Sequence, residues 1–358
     1  MPGQAPVNAT SDSTPFPDVR VVSGAAFEVV AELAAFTSGP ARASLDAGKA
    51  WIREVRRLAG SELIERVERY TLGLYAELAT VALEAPAPRG THQLIAGLEA
   101  LDADALQRRL LSAESPLNRT MVSEGAIERS IAGDAEARAE VRSAFGLDRT
   151  ARLAIDRVLE LRSDTLKAEL LTIVRDWAGR VFPRFAADAM AAIERDRSAR
   201  EDQLSRMPGQ AVLMAATNGV AFNPSPWVAR IVIVPTVALR PFLIPAELRE
   251  TSVFVCSVAD EALDVDAAAP PRRLVKTAAA LGDELRLRVL HLLRDEALNA
   301  SEIAERLGVE RTSLHHHLGI LRSAGLLTIR DEGERGWRFA LREDGLRGLG
   351  PDLESYLR

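Results

Sequence analysis

Residues 299–327, "NASEIAERLGVERTSLHHHLGILRSAGLL", hold two short helical patterns joined by Gly308. Asn299 with Glu302 three residues later is a capping-box start, in which the amide oxygen takes the first free N–H groups and the carboxylate reaches back. Gly308 supplies the left-handed residue that a tight turn between two helices needs. The second helix carries three of the chain's five histidines, His315, His316 and His317, in a row. Neighbouring helical residues diverge by about 100°, whereas ligands gather at i, i+3 or i+4, so the triplet cannot close on one ion. Leu314, Leu318 and Leu321 share one side, which is the expected core face. His317 lies at its border and is expected to make a structural hydrogen bond. His315 and His316 fall on the opposite half with Thr312, Ser313 and Gly319. Neither a metal nor a cofactor is expected.

Working outward, Asp283–Leu293 carries Leu285, Leu287, Val289, Leu290 and Leu293 at helical spacing. Downstream, "LLTIR" and "WRFAL" flank the turn "DEGERG", a β-hairpin with exposed arginines. Helix, helix, tight turn, helix and hairpin is the order of a winged helix-turn-helix. In such a module the start of the third helix offers side chains to base edges, which makes Arg311, Thr312, Ser313, His315 and His316 the candidate base readers. Arg322 at its far end and Arg330, Arg335 and Arg338 on the hairpin are placed to meet phosphates. Residues 272–342 hold 13 Arg or Lys against 10 Asp or Glu, a net of +3 in a chain of net −6. A mildly basic module thus follows an acidic body.

The stretch from "AALGDELRLRVL" through "WRFALR" resembles the DNA-binding domain of the ArsR family of bacterial transcriptional regulators. Leu281, Leu287, Val289, Leu290, Ile303, Ala304, Leu307, Leu314, Leu318, Leu321, Gly325 and Leu326 stand at that family's apolar landmarks. The resemblance covers about a fifth of the chain. It implies a homodimer on double-stranded DNA with a near-palindromic operator, and repression by occlusion ahead of activation. The family's metal-sensing members carry Cys-x-Cys before the recognition helix, and "LNASEIAERL" has none. Others use histidines on a terminal dimer helix, and "EDGLRGLGPDLESYLR" has none. A metal-responsive regulator and a winged-helix protein-interaction module are the alternatives. Glu310 stands where the family has Ser or Thr, so the helix start is left with a weaker cap or a charge–dipole contact. About 270 residues precede the domain, which is similar to the longer regulators that end in such a domain.

The whole chain of 358 residues, 47 % hydrophobic and 27 % charged, has the composition of a soluble protein of two or three domains. The expected fold is mainly α (α+β). Residues 1–18, rich in Pro, Ser and Thr, are expected to be disordered, 19–205 to form a helical body and 206–263 a small β-rich segment. Residues 264–271 read as a linker and 272–358 as the winged helix. Within the body, "SELIERVERYTLGLYAEL" spaces Leu63, Val67, Tyr70, Leu74 and Leu78 as one amphipathic helix, and "DTLKAELLTIVRDW" does the same with Leu166, Leu170, Ile173, Val174 and Trp177. "QAVLMAA", "ARIVIVP" and "TSVFVCSV" read as strands, with a hairpin among them. Neither a signal peptide nor a membrane-spanning run is read, and the expected location is cytoplasmic.

Motifs of nucleotide binding, of serine hydrolases and of zinc hydrolases are missing from the sequence, and His92 is the one histidine outside the C-terminal module. The expectation is therefore not an enzyme. Cys256, the single cysteine, reads as a buried small hydrophobe. Two readings of the body stay open. It encloses a pocket for a small-molecule effector, with Trp51, Trp177 and Trp227 as candidate contacts, or it is a platform for dimerisation and docking without a ligand. On general grounds each tryptophan belongs to the core more readily than to a ligand site.

Overall fold

A computed structural model describes residues 15–112, 122–144, 149–263, 270–331 and 337–358. The fold is mainly α with small sheets. Among the described residues, eleven α-helices run from Ala25–Phe36 to Gly209–Ala216. Seven strands accompany the helices: β1 (Asp18–Val21), β2 (Val220–Ala221), β3 (Arg230–Thr236), β4 (Ile244–Leu248), β5 (Thr251–Ser257), β6 (Leu327–Asp331) and β7 (Trp337–Leu341).

The first sheet has the order β1-β3-β5-β4. β1 and β5 pair parallel with β3, in the registers Asp18↔Arg230 and Arg230↔Thr251, and β4 closes the edge antiparallel to β5. The expected hairpin exists, but between β4 and β5, while the two apolar runs of β3 and β5 lie side by side in parallel. β3 is buried from Ile231 to Thr236 because both of its faces are covered, the usual state of a parallel strand. Val232, Val234, Val253 and Val255 join the core of the helical body. Ile231, Ile233, Phe254 and Cys256 pack on the other side against Val212 and Leu213.

That second face explains one correction. "QAVLMAA" is not a strand; Gly209–Ala216 is a helix, and its apolar side is the cover for the sheet's outer face. A short apolar run satisfies either period, and the neighbour it must cover decides. The sheet and the helical body share one core, so the expected boundary near residue 206 falls inside a packed unit. Residues 1–14 and 264–269 lie outside the described residues, and with them most of the expected disordered segment and linker. Asp18, placed in that segment, opens β1.

Ser163–Arg180 forms as expected, with Leu166, Leu170, Ile173, Val174 and Trp177 buried. The other quoted helix is broken: Gly48–Val67 ends and Leu72–Glu84 begins after Thr71, whose backbone is extended. Leu63, Val67, Tyr70, Leu74 and Leu78 are still all buried. Tyr70, in the break, donates to Glu169 at 3.0 Å, and Glu169 also accepts from Arg69 and Arg157. No helix among the described residues is long and apolar enough to cross a membrane.

Candidate nucleic-acid interface

The C-terminal module is built from helices Arg272–Leu281, Glu284–Leu292, Ala300–Leu307 and Arg311–Ser323, followed by the antiparallel pair β6 and β7. Asn299 Oδ1 accepts from the N–H groups of Ser301 and Glu302 at 2.9 Å, and Glu302 Oε2 accepts from Asn299 N at 2.8 Å. Both halves of the capping box are therefore made, and roughly 1 kcal/mol rests on such a cap. Gly308 is left-handed at φ 67°, ψ 36°, and the chain turns there into the next helix. Glu310 is that helix's N-cap and its side chain makes no cap hydrogen bond, in line with the weak cap expected.

Helix Arg311–Ser323 divides as its spacing requires. Leu314, Leu318 and Leu321 are buried at 2 % exposure or less and join Val289, Leu290, Ile303 and Leu326 in the module's core. Ser313, His316 and Gly319 are exposed. Leu287, placed among the apolar landmarks, is instead 48 % exposed. His316 and His317 turn apart, with ring centroids 5.9 Å from each other at 73°. His317 is half-buried as expected, yet its Nδ1 stands 3.6 Å from Asp283 Oδ1 and makes no hydrogen bond among the described residues. Asp283 is occupied as the N-cap of Glu284–Leu292, accepting from Arg286 N at 3.0 Å. That bond, then Arg286 and His317, hold its carboxyl below the usual range.

Arg330 is exposed on β6. Two other arginines are not where phosphates were expected to find them. Arg338 donates through Nε to Ala297 O at 3.0 Å and lies 3.3 Å from Glu302, so it fastens the hairpin to the preceding helix. Arg322 is half-buried, and burial pulls its guanidinium below its ordinary value. Its end of the helix faces the body, not solvent. Arg335 and the side chains of Arg311, Thr312 and His315 lie outside the described residues.

The docking of this module on the body was not read in the sequence. Asn218 Nδ2 donates to the carbonyls of Arg322 and Ser323 at 2.8 and 3.3 Å, so a body side chain caps the last turn of the helix. The next residues form β2, which pairs parallel with β6 at Val220↔Ile329. Gly219 sits between them at φ 99°, and a Cβ there would stand 2.5 Å from Leu327 O. Lys276 reaches Asp46 at 2.7 Å, and Asp46 also faces Arg240 at 3.2 Å. "TNG" at 217–219 was the available signal, since Asn-Gly marks a turn with positive φ, but its partner lies about a hundred residues on.

The three tryptophans do not converge. Trp177 is fully buried and donates to Glu32 at 2.7 Å; Trp51, 9 % exposed, packs on Phe36 and Phe185. Trp227 is 56 % exposed and donates to Glu247 at 3.2 Å. Trp51 and Trp177 are core, which corrects their candidacy as effector contacts. A concave site lies elsewhere among the described residues, a cleft of about 650 Å³ between body and module that none of the three lines.

A family model described as a helix-turn-helix domain matches residues 281–330. No curated protein and no solved structure matches the chain. The match begins at the end of the module's first helix and closes on β6, so it spans the three helices and the first hairpin strand placed by the geometry. These residues form a helix-turn-helix domain, which points to a regulator that binds DNA rather than to an enzyme.

Proposed function

We propose that this protein is a sequence-specific transcriptional regulator of the ArsR type, a homodimer that represses by occupying a near-palindromic operator. The observation that carries the reading is the division of helix Arg311–Ser323. Its leucine face is packed, while Ser313, His316 and Gly319 stand in solvent at the end that enters a major groove. Arg330 is exposed on the neighbouring strand and takes a phosphate. Val275, Leu287, Leu353 and Leu357 are exposed apolar residues, 44 to 73 % accessible, on the helices Arg272–Leu281, Glu284–Leu292 and Leu349–Leu357. They supply the face for a second copy, which sets two recognition helices about one helical turn of DNA apart. The small basic excess gives a shallow salt dependence. The protein works in the cytoplasm, and the body adds to the dimer contact and senses an effector.

The test is selection of bound duplexes from a random pool by the full chain in the presence of a metal chelator. A palindromic motif is the expected result. A motif recovered only with added zinc replaces this reading by a metal-responsive regulator. No motif under either condition overturns it in favour of a protein-docking module.

A further inference from the structure

The cleft between body and helix-turn-helix module is walled on one side by Ala216, Phe242 and Leu243 and on the other by Arg273, Arg342 and Gly345. At about 650 Å³ it has the volume of a small-molecule site. Most of its cations are already spoken for. Arg200 pairs with Asp196, Arg240 with Asp260 and Asp46, and Lys276 with Asp46, whereas Arg273 is half exposed and makes a looser contact, 3.5 Å to Asp352. Arg342 differs. It is half-buried, and among the described residues no carboxylate lies within ion-pairing distance of it. Its one polar contact there is a long one, Nη1 to Asn218 Oδ1 at 3.4 Å. Burial pulls its guanidinium below its ordinary value, with the charge of Asp344 in the same cleft acting against it and that of Arg273 adding to it. A half-buried guanidinium beside a second one, in a cleft with an apolar wall, is short of an anion.

We propose that this cleft binds a small organic anion, a carboxylate or phosphate ester with an apolar part, through Arg342 and Arg273, and that Asn218 carries its binding to the recognition helix. The regulatory half of this inference rests on the proposed function. Asn218 is the joint: its Oδ1 meets Arg342 while its Nδ2 caps the carbonyls of Arg322 and Ser323. An anion that takes the guanidinium of Arg342 withdraws it from Asn218 and frees the amide to reorient. The cap on the last turn of helix Arg311–Ser323 changes with it. The phenyl ring of Phe242 and the side chain of Leu243 receive the apolar part of the ligand.

The experiment is calorimetric titration of the full chain, without DNA, by benzoate, phenyl phosphate and inorganic phosphate in turn. Saturable one-to-one binding of at least one organic anion is expected, tighter than that of inorganic phosphate. Arg342→Gln and Arg273→Gln each weaken it at least tenfold, while Arg162→Ala, an exposed arginine outside the cleft, leaves it unchanged. On the selected operator, the bound anion shifts the affinity of the wild type at least fivefold and that of Asn218→Ala less than twofold, with the anion still bound. Heat for none of the probes overturns the site, as does equal affinity in Arg342→Gln. An equal shift in Asn218→Ala overturns the coupling. A chain that selects no DNA overturns the regulatory half and the reading beneath it, while the titrations still decide the site.

Discussion

Helices Ala25–Phe36 and Arg311–Ser323 are almost equal in length, twelve and thirteen residues, and both carry polar side chains among apolar ones. In the first, Glu28 and Glu32 are 1 % exposed. Glu28 accepts from the N–H groups of Val237 and Ala238 at 2.9 Å, just past the end of β3, and Glu32 accepts from Trp177 at 2.7 Å. In the second, Ser313 and His316 face solvent while every leucine of the helix is buried. A buried polar group with internal partners belongs to the architecture, because removing it strands those partners. A polar face left in water beside a well-packed apolar one is available to something outside the molecule. Polar side chains on an apolar helix therefore report structure where they are buried with partners, and an open face where they are not.

The largest effect that tests this contrast is expected at Glu28. Glu28→Ala leaves two buried N–H groups without an acceptor, and chemical denaturation should show a loss of about 4 kcal/mol. A loss under about 1 kcal/mol would remove Glu28 from the architecture. Its titration gives the next effect. Burial pushes the Glu28 carboxyl up to about 7 from an ordinary 4.5, against the pull of its two N–H donors. The folded chain thus binds the proton more tightly than the unfolded one. The resulting stabilisation is complete below 4.5 and is lost as pH rises through 7. Relative to Glu28→Gln, the wild type should lose about 3 kcal/mol between those limits. Burial raises Glu32 as well, in the same direction. A pH-independent difference between wild type and Glu28→Gln would break the assignment.

On the recognition side the effects are smaller and read on DNA. His316→Ala should weaken a selected operator by about 1–3 kcal/mol and random duplex hardly at all, with folding stability unchanged. Equal losses on both would take His316 out of base reading. Arg330→Ala and Arg338→Ala sharpen the comparison most finely. The first should weaken every sequence slightly and lower the salt slope by about one, the second should leave the slope alone and cost about 1 kcal/mol of folding stability. Reversed outcomes would return Arg338 to the phosphates.

What the sequence discloses follows the range of the interactions. Asn299, Glu302 and Gly308 act on backbone within three residues of themselves, and the spacing of Leu314, Leu318 and Leu321 needs only the helical period, so all were legible. Arg338 and Arg322 look like surface cations until Ala297, Glu302 and the body are placed around them. "QAVLMAA" is ambiguous until the sheet it covers is known, and Asn218 until its partners at 322 and 323 are. The cleft is assembled from residues 196 to 345 and has no local signature at all.

The pairing of β1 with β3 also sets an order in time. Asp18 and Arg230 are partners across about 210 residues of chain, and such distant contacts are slow to form. During synthesis β1 waits, without a neighbour, until β3 has left the ribosome, and β3 in turn waits for β5. Meanwhile the sides of Ala25–Phe36 and Leu72–Glu84 that the sheet will cover stay open to water. A nascent chain stopped after Ala216 holds all eleven helices of the body yet lacks the sheet's central strands. Open apolar surface of that kind favours aggregation. The body closes only when residues up to Ser257 are in place, shortly before the helix-turn-helix module emerges to dock on β2.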